Sequence, residues 1–303
     1  MKNKELEKLL QNIVPGTKLT SLIDFDLDAE NKNLVMNITK RGLESNMQKD
    51  DGAFESWAII LKYHLSNLIS TVKINWDDLG IDIKNEHVSQ FYYRLNRFIQ
   101  TYTWATTART IPTVPSSLLC HCPLKESAAK EDYPKGSEGE LECEFVANNK
   151  SEFDCIDHQL PIGLFRDTVS KDTHYSPGNK SAIDIWAIKN DALYLFELKK
   201  PGNKPLGIIS EIMYYTNVVN DLLSHRINYE RLEESTNIKK AVQKNYRNFK
   251  VFYEAYMNCS IRRINSILLA REIHPLITEG LLDFVNESPR WKYLNIRFSS
   301  RTL

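Results

Sequence analysis

The chain has 303 residues, of which 42% are hydrophobic and 26% are charged, and its 39 Lys and Arg residues balance 39 Asp and Glu residues. This composition is typical of a globular protein and excludes a low-complexity or strongly charged disordered chain. No apolar run approaches the roughly 20 residues that a membrane-spanning helix needs. The charged first ten residues also lack the apolar segment of a secretion signal. We therefore expect a cytoplasmic protein with no membrane partner.

The first hundred residues mostly have the apolar spacing of helices. Apolar residues recur at helical intervals over 54–68 and 88–102, whereas only the run 34–38 indicates a strand. Six Pro and Gly residues between 110 and 140 then interrupt the pattern. We predict a mainly helical N-terminal region with a linker over residues 1–135, and a second domain over residues 136–303.

The second domain mixes strand and helix signals. Apolar or alternating segments predict strands over 140–146, 160–165, 183–188 and 193–198. The residues between the last two, Lys189-Asn190-Asp191-Ala192, are typical of a tight hairpin turn. Helical spacing predicts helices over 206–223, 239–257 and 261–286, and a final strand follows over 293–298.

Two carboxylates and a lysine lie within this hairpin, in strands that are otherwise apolar. If the chain turns symmetrically at Asn190-Asp191, residues whose numbers sum to 381 face each other, so Asp184 lies opposite Glu197. A three-residue turn would make that pair diagonal. Lys199, two residues beyond Glu197, points to the same side of the sheet. Converging carboxylates repel each other unless a cation joins them, and oxygen ligands favour Mg²⁺, with Mn²⁺ as a substitute. The neighbouring amine could then orient or deprotonate an attacking water.

The arrangement of Asp184, twelve intervening residues and the triplet Glu197-Leu198-Lys199 at a strand end resembles the PD-(D/E)XK nuclease superfamily. The resemblance covers residues 150–225. It implies an α/β, restriction-endonuclease-like fold, in which a mixed sheet is flanked by helices. It also implies that Asp184, Glu197 and the backbone carbonyl of Leu198 bind the metal while Lys199 assists the attacking water. The implied activity is Mg²⁺-dependent hydrolysis of phosphodiester bonds in nucleic acid, with DNA as the expected substrate.

The same resemblance implies further acids. Many members have one on a helix before the first core strand, and Glu152 is the candidate here. Its alternatives are Glu55, Glu140, Glu142 and Glu144. A polar residue on the helix after the lysine often joins the site, which indicates Glu211. Each of these residues is also explained as a plain surface glutamate. Ile183 stands where the superfamily's name has a proline.

Other interpretations remain open from the sequence. A structural zinc has potential ligands in one loop-rich region, namely Cys120, Cys122, Cys143, Cys155 and His158. Cys259 is expected in the core. The alternative function is a catalytically inactive nuclease-fold protein that binds nucleic acid or another protein. A homodimer or a partner protein bound through the N-terminal helices is also open. Twelve Lys and Arg residues against five Asp and Glu residues over 239–303 would suit a polyanionic partner.

Overall fold

The computed structural model of the chain describes residues 1–77, 80, 84–177 and 181–303 and is a mixed α/β protein. The described α-helices are α1 (Asn3–Gln11), α2 (Lys40–Leu43), α3 (Phe54–His64), α4 (Glu86–Thr101), α5 (Glu138–Asn149), α6 (Ile208–Leu223), α7 (Thr236–Lys244), α8 (Phe249–Met257), α9 (Glu279–Asn286) and α10 (Pro289–Tyr293). The described strands are β1 (Ile23–Asp28), β2 (Asn33–Ile38), β3 (Thr71–Trp76), β4 (Ala105–Thr106), β5 (Leu118–Cys120), β6 (Cys155–Pro161), β7 (Leu164–Arg166), β8 (Ala182–Lys189), β9 (Ala192–Lys199), β10 (Arg263–Ala270) and β11 (Ile296–Arg301). Short 3₁₀ turns cover Asp50–Gly52, Lys130–Asp132 and Tyr246–Asn248.

Contacts divide the chain into two units, each made of segments that are distant in sequence. The first contains Met1–Val114, Lys204–Glu211 and Ile273–Tyr293. The second contains Pro115–Asn203, Ile212–Glu272 and Leu294–Leu303. The sequence predicts one boundary after residue 135, whereas in the structure two later segments return to the first unit.

The first unit contains a sheet as well as helices. Its strand order is β1-β2-β3-β4, with β1 and β2 antiparallel and the other neighbours parallel. Only β2 is predicted as a strand from the sequence, although β1 alternates buried Ile23, Phe25 and Leu27 with acidic residues, which is a strand pattern. In the core, the Phe54 ring lies 5.2 Å from the ring of Phe91. This region is therefore itself α/β rather than mainly helical.

One ion pair is buried inside the first unit. Arg94 on α4 donates to both carboxylate oxygens of Glu55 on α3, and its Nε lies 2.8 Å from Glu55 Oε1. Both side chains are 3% exposed. The Gly52 carbonyl accepts a further bond of 2.9 Å from Arg94. Glu55 is thereby occupied as a structural partner.

The second unit is built on a five-stranded sheet with the order β11-β10-β9-β8-β6. Strand β8 is antiparallel to both of its neighbours, β6 and β9, while β9, β10 and β11 run parallel to one another. A mixed sheet with helices is the coarse architecture expected from the sequence.

Three predicted elements in this unit are wrong. Residues 140–146 belong to helix α5, because Ser137 and Glu140 form a helix start that the alternating pattern concealed. The segment predicted as a helix over 261–286 begins instead with strand β10. The buried apolar run of β10 is compatible with the spacing of a helix and with that of a strand. The predicted helix 239–257 is broken into α7 and α8 by left-handed backbone at Asn245, Arg247 and Asn248.

Helices cover both faces of this sheet. On one face, Phe145 of α5 packs 5.2 Å from the ring of Phe196 on β9, and Leu198 joins the same cluster. On the other face, Trp186 of β8 contacts Phe252 of α8, with their rings 5.5 Å apart. In the part of the chain that the structure describes, no helix combines the length and the apolar character needed to cross a bilayer.

Candidate active site

The hairpin β8–β9 has the register that the sequence predicts. Ile185 faces Phe196 and Lys189 faces Ala192, so the numbers of paired residues sum to 381. The two-residue turn places Asn190 in the left-handed region, at φ 55°, which asparagine tolerates better than most residues. Arg263 secures the turn through an ion pair of 2.5 Å with Asp191. If this register is continued by one residue, Asp184 lies opposite Glu197.

The strand ladders open at Asp184. The β8–β9 pairs end at Ile185 and Phe196, and the β6–β8 ladder skips Gln159 and Asp184 between its neighbouring pairs. In place of a ladder bond, Asp184 Oδ2 accepts the backbone N–H of Leu198 at 2.8 Å. The half-buried Asp184 carboxylate is thus held against the residue that separates Glu197 from Lys199.

Glu197 and Lys199 form a buried ion pair on β9, with Lys199 Nζ donating to Glu197 Oε1. Glu197 is 0% exposed and Lys199 is 7% exposed. Their strand lies between β8 and β10, and the intervening Leu198 faces the apolar cluster on the opposite side. Burying two charges costs several kcal/mol per ion before their attraction offsets it. A buried pair of this kind is compatible with a structural role, as for Arg94 and Glu55, and with a functional one.

A third carboxylate reaches this region from α5. Glu142 is 3% exposed, and its Oε2 accepts a 2.8 Å hydrogen bond from Gln159 Nε2. Burial, and then the neighbouring charge of Asp184, raise the pKa of Glu142 to about 8, while Gln159 and Lys199 act in the opposite direction. Glu142 therefore shares the electrostatic environment of Asp184 and Lys199.

The helix explains why Glu142 is selected from three nearby glutamates. Residues two apart in a helix differ by about 200° around its axis, so Glu140 and Glu144 point away from Glu142. Both approach Lys130 at the surface, at 4.0 Å and 2.5 Å. The helix start is fixed by Ser137, whose Oγ accepts the Glu140 N–H at 3.3 Å. This Ser-x-x-Glu capping signal was present in the sequence and could have identified Glu142.

Gln159, which holds Glu142, is itself in an uncommon conformation. Its φ is 57°, although it lies inside β6, the edge strand of the sheet. Arg247 donates to its backbone carbonyl, while its side chain donates to Glu142. Left-handed backbone at a non-glycine residue is costly and clusters at functional sites. Sequence reasoning gave no signal for Gln159 or Arg247.

The two further acids predicted from the resemblance lie in other surroundings. Glu152 pairs with Arg301 at 3.1 Å, and its side chain is 41% exposed. It is thus a surface ion-pair partner, and Glu142 is the acid that the structure places near Asp184. Glu211 is buried and accepts a hydrogen bond from Gln48 within the first unit. Its catalytic role remains a prediction.

The donor set is compatible with a hard divalent cation. Asp184, Glu197 and Glu142 supply carboxylate oxygens near Lys199, and the pKa of Glu142 is raised first by its burial and then by the charge of Asp184. Within the described residues, no three or more His, Cys, Asp or Glu side chains form a ready-made metal cage. Mg²⁺ does not need one, because it binds through one or two carboxylates and completes its shell with water and substrate phosphate.

The cysteines that the sequence offered as zinc ligands do not share one set of contacts. Cys143 Sγ lies 3.7 Å from His158 Nε2, whereas Cys120 Sγ contacts the Pro161 carbonyl at 3.9 Å. Burial raises the pKa values of Cys120, Cys122 and Cys155 to about 12. None of the described cysteines belongs to a metal-binding group.

Comparisons with protein-family models, curated proteins and solved structures found no match to this chain. Functional inference therefore depends on the geometry of the site.

Proposed function

We propose that the chain is a divalent-metal-dependent nuclease of the restriction-endonuclease-like type, with DNA as its expected substrate. The observation that supports this most is the opening of the strand ladder at Asp184, beside a buried Glu197–Lys199 pair and an acid from the next helix. Each of these features costs stability, and together they provide the oxygen ligands and the amine that phosphodiester hydrolysis uses.

The carboxylates of Asp184 and Glu197, with the Leu198 carbonyl, would hold a Mg²⁺ or Mn²⁺ ion. When bound, that cation would supply Lewis-acid polarisation of the phosphate and lower the pKa of an adjacent water. Lys199 Nζ, now bonded to Glu197, is positioned to orient the water or to stabilise negative charge developing on the phosphate. Glu142, protonated through much of the neutral range, would release its proton as positive charge enters the site.

The proposal is tested by incubating the chain with labelled single-stranded, duplex and branched DNA and with RNA, in Mg²⁺, Mn²⁺ or chelator. We expect cleavage with either metal and none with chelator. Lys199→Met should lower cleavage by at least about 10²-fold, the lower range for loss of a catalytic proton-transfer group. Asp184→Asn and Glu197→Gln, which change the proposed metal ligands, should lower it at least as much.

Matched controls are available beside the site. Lys200→Met changes the exposed lysine next to Lys199, and Glu144→Gln changes an acid two residues from Glu142. Both should cleave at wild-type rates. Lys199→Met removes the cation that pairs with the buried Glu197 and could therefore destabilise the fold. Circular dichroism of this variant, and of the double variant Lys199→Met with Glu197→Gln, shows whether the chain is still folded.

Isothermal titration with Mg²⁺ gives an independent readout, in which Asp184→Asn should lose binding. Wild-type cleavage rates in the Asp184 and Lys199 variants would contradict the mechanism. A chain that binds nucleic acid but cleaves none in either metal would favour the inactive binding protein instead.

A further inference from the structure

The C-terminal ends of α6 and α8 bring a cysteine and a histidine together in the second unit. His225 and Cys259 lie just beyond these helices in left-handed conformations, at φ 54° and 48°. Cys259 Sγ is 3.5 Å from His225 Nε2, and both residues are exposed. The expectation that Cys259 is a core residue is therefore wrong. Its thiol is accessible and in contact with a potential base.

Neighbouring polar groups determine which nitrogen of His225 carries hydrogen. The Tyr256 hydroxyl lies 3.1 Å from His225 Nδ1 and 3.2 Å from Asn228 Oδ1. Asn228 Nδ2 faces the His225 carbonyl at 3.4 Å, which directs the amide oxygen toward Tyr256. An amide oxygen only accepts, so the Tyr256 hydroxyl donates to it and its own oxygen accepts from Nδ1–H. In the neutral ring, Nε2 is then the acceptor that faces the Cys259 thiol.

The Tyr256 hydroxyl is protonated and able to donate at neutral pH, and burial raises its pKa further, to about 12. The sequence of groups is thus thiol, imidazole, phenol and amide, each within hydrogen-bonding distance of the next. This is the arrangement of an activated nucleophile, in which a third group orients the base.

A cavity of about 1080 Å³ is lined by His225, by Tyr256 and by Asn258, the residue that precedes Cys259. Its other charged lining residues are Asp167, Glu230, Arg231, Glu233, Glu234 and Glu254. Five carboxylates and one guanidinium thus line the cavity, with Arg231 3.6 Å from Glu234 and Lys250 3.9 Å from Glu254, so the lining carries more carboxylates than cations. Such a surface attracts cations and repels anions.

A second thiol–imidazole pair in the same unit provides a comparison. Cys143 lies 3.7 Å from His158, but burial and the neighbouring carboxylates of Glu142 and Asp157 raise its pKa. A raised pKa reduces the thiolate fraction, and with it the reactivity of the thiol. Cys143 should therefore react slowly despite its histidine.

We propose that Cys259 and His225 form a reactive thiol site that exchanges with small disulfides carrying amino groups. His225 Nε2 accepts the thiol proton, and the Cys259 sulfur attacks one sulfur of the disulfide. A new S–S bond forms to that half, the original S–S bond breaks, and the other half leaves as a thiolate that takes up a proton. The small disulfide is the oxidant, so Cys259 is oxidised as the departing half is reduced.

The experiment compares three disulfides at neutral pH with the full chain: cationic cystamine, neutral hydroxyethyl disulfide and anionic oxidised glutathione. Intact mass and peptide mapping follow each cysteine. We expect Cys259 to react first, and cystamine to react about tenfold faster than oxidised glutathione after normalisation to the denatured chain. Added salt should reduce this preference.

Variants separate reactivity from ligand choice. Cys259→Ser should remove the fast reaction, and Cys143→Ser should not. His225→Gln should slow it by about tenfold or more, and Tyr256→Phe should slow it less. Glu254→Gln should reduce only the advantage of cystamine.

A Cys259 rate no higher than that of Cys143, or an unchanged rate in a folded His225→Gln variant, would overturn the reactive site. Faster reaction with oxidised glutathione than with cystamine would overturn the assigned ligand class.

Discussion

Glu142 should make the stability of the second unit depend on pH. In the folded chain its pKa is raised from 4.5 to about 8, first by burial and then by Asp184. The folded state therefore retains this proton over a range in which the unfolded state has lost it. The resulting stabilisation is complete below about pH 4.5 and is lost as the pH rises through about 8. Between about pH 5 and pH 8 the linked loss amounts to about 3 kcal/mol, from the factor of 1.36 kcal/mol per pKa unit.

The assay is urea unfolding of wild type, Glu142→Gln and Glu144→Gln in chelator across this pH range. Hydrogen exchange of peptides from β8 and β9 reports on the second unit. Other groups titrate in all three chains and cancel in the differences. Wild type should lose about 3 kcal/mol relative to Glu142→Gln as the pH rises, whereas Glu144→Gln should follow wild type because that side chain is 43% exposed.

Divalent cations provide the second half of this test. Mg²⁺ favours the ionised form of a neighbouring carboxylate, so at about pH 8 it should stabilise wild type more than Glu142→Gln. Parallel pH profiles for the two chains would refute the burial of an ionisable Glu142 beside Asp184. If wild type loses stability with rising pH as predicted but Mg²⁺ has no effect, Glu142 is buried as described and does not belong to the proposed metal site.

Two further predictions concern helix α5 and the first unit. Ser137→Ala removes the cap of α5 and should cost about 1 kcal/mol in urea unfolding, with Ser137→Asp retaining wild-type stability. Glu55→Gln leaves the buried Arg94 without its counter-charge and should cost about 3–5 kcal/mol. Adding Arg94→Met should recover part of that loss, and strictly additive losses in the double variant would show that the two side chains are not coupled.

The predicted hairpin illustrates what nearby residues determine. Asn190 and Asp191 favour a two-residue turn, and the turn sets the register of every pair that follows it. Asp184 and Glu197 were therefore assigned to facing positions from the sequence, and the observed pairing from Ile185 to Lys189 has that register. The side to which Lys199 points follows from the alternation of a strand.

Strand β10 illustrates what nearby residues leave open. Its segment Ile267 to Ala270 is a continuous apolar run, which suits a buried helix or a strand covered on both faces. The choice is made by parallel pairing with β9 on one side and β11 on the other. Those partners lie far along the chain, so local periodicity could not reveal them.

The sequence by itself determined the hairpin, its turn and the shared face of Glu197 and Lys199, because these depend on residues within one short segment. Only the tertiary structure decided that Glu142, rather than Glu152, lies near Asp184, and that Cys259 meets His225. These contacts join groups held on separate elements, and their positions depend on how helices pack against a sheet. Burial and the resulting pKa of Glu142 follow from that packing, because solvent exclusion is a property of the assembled unit.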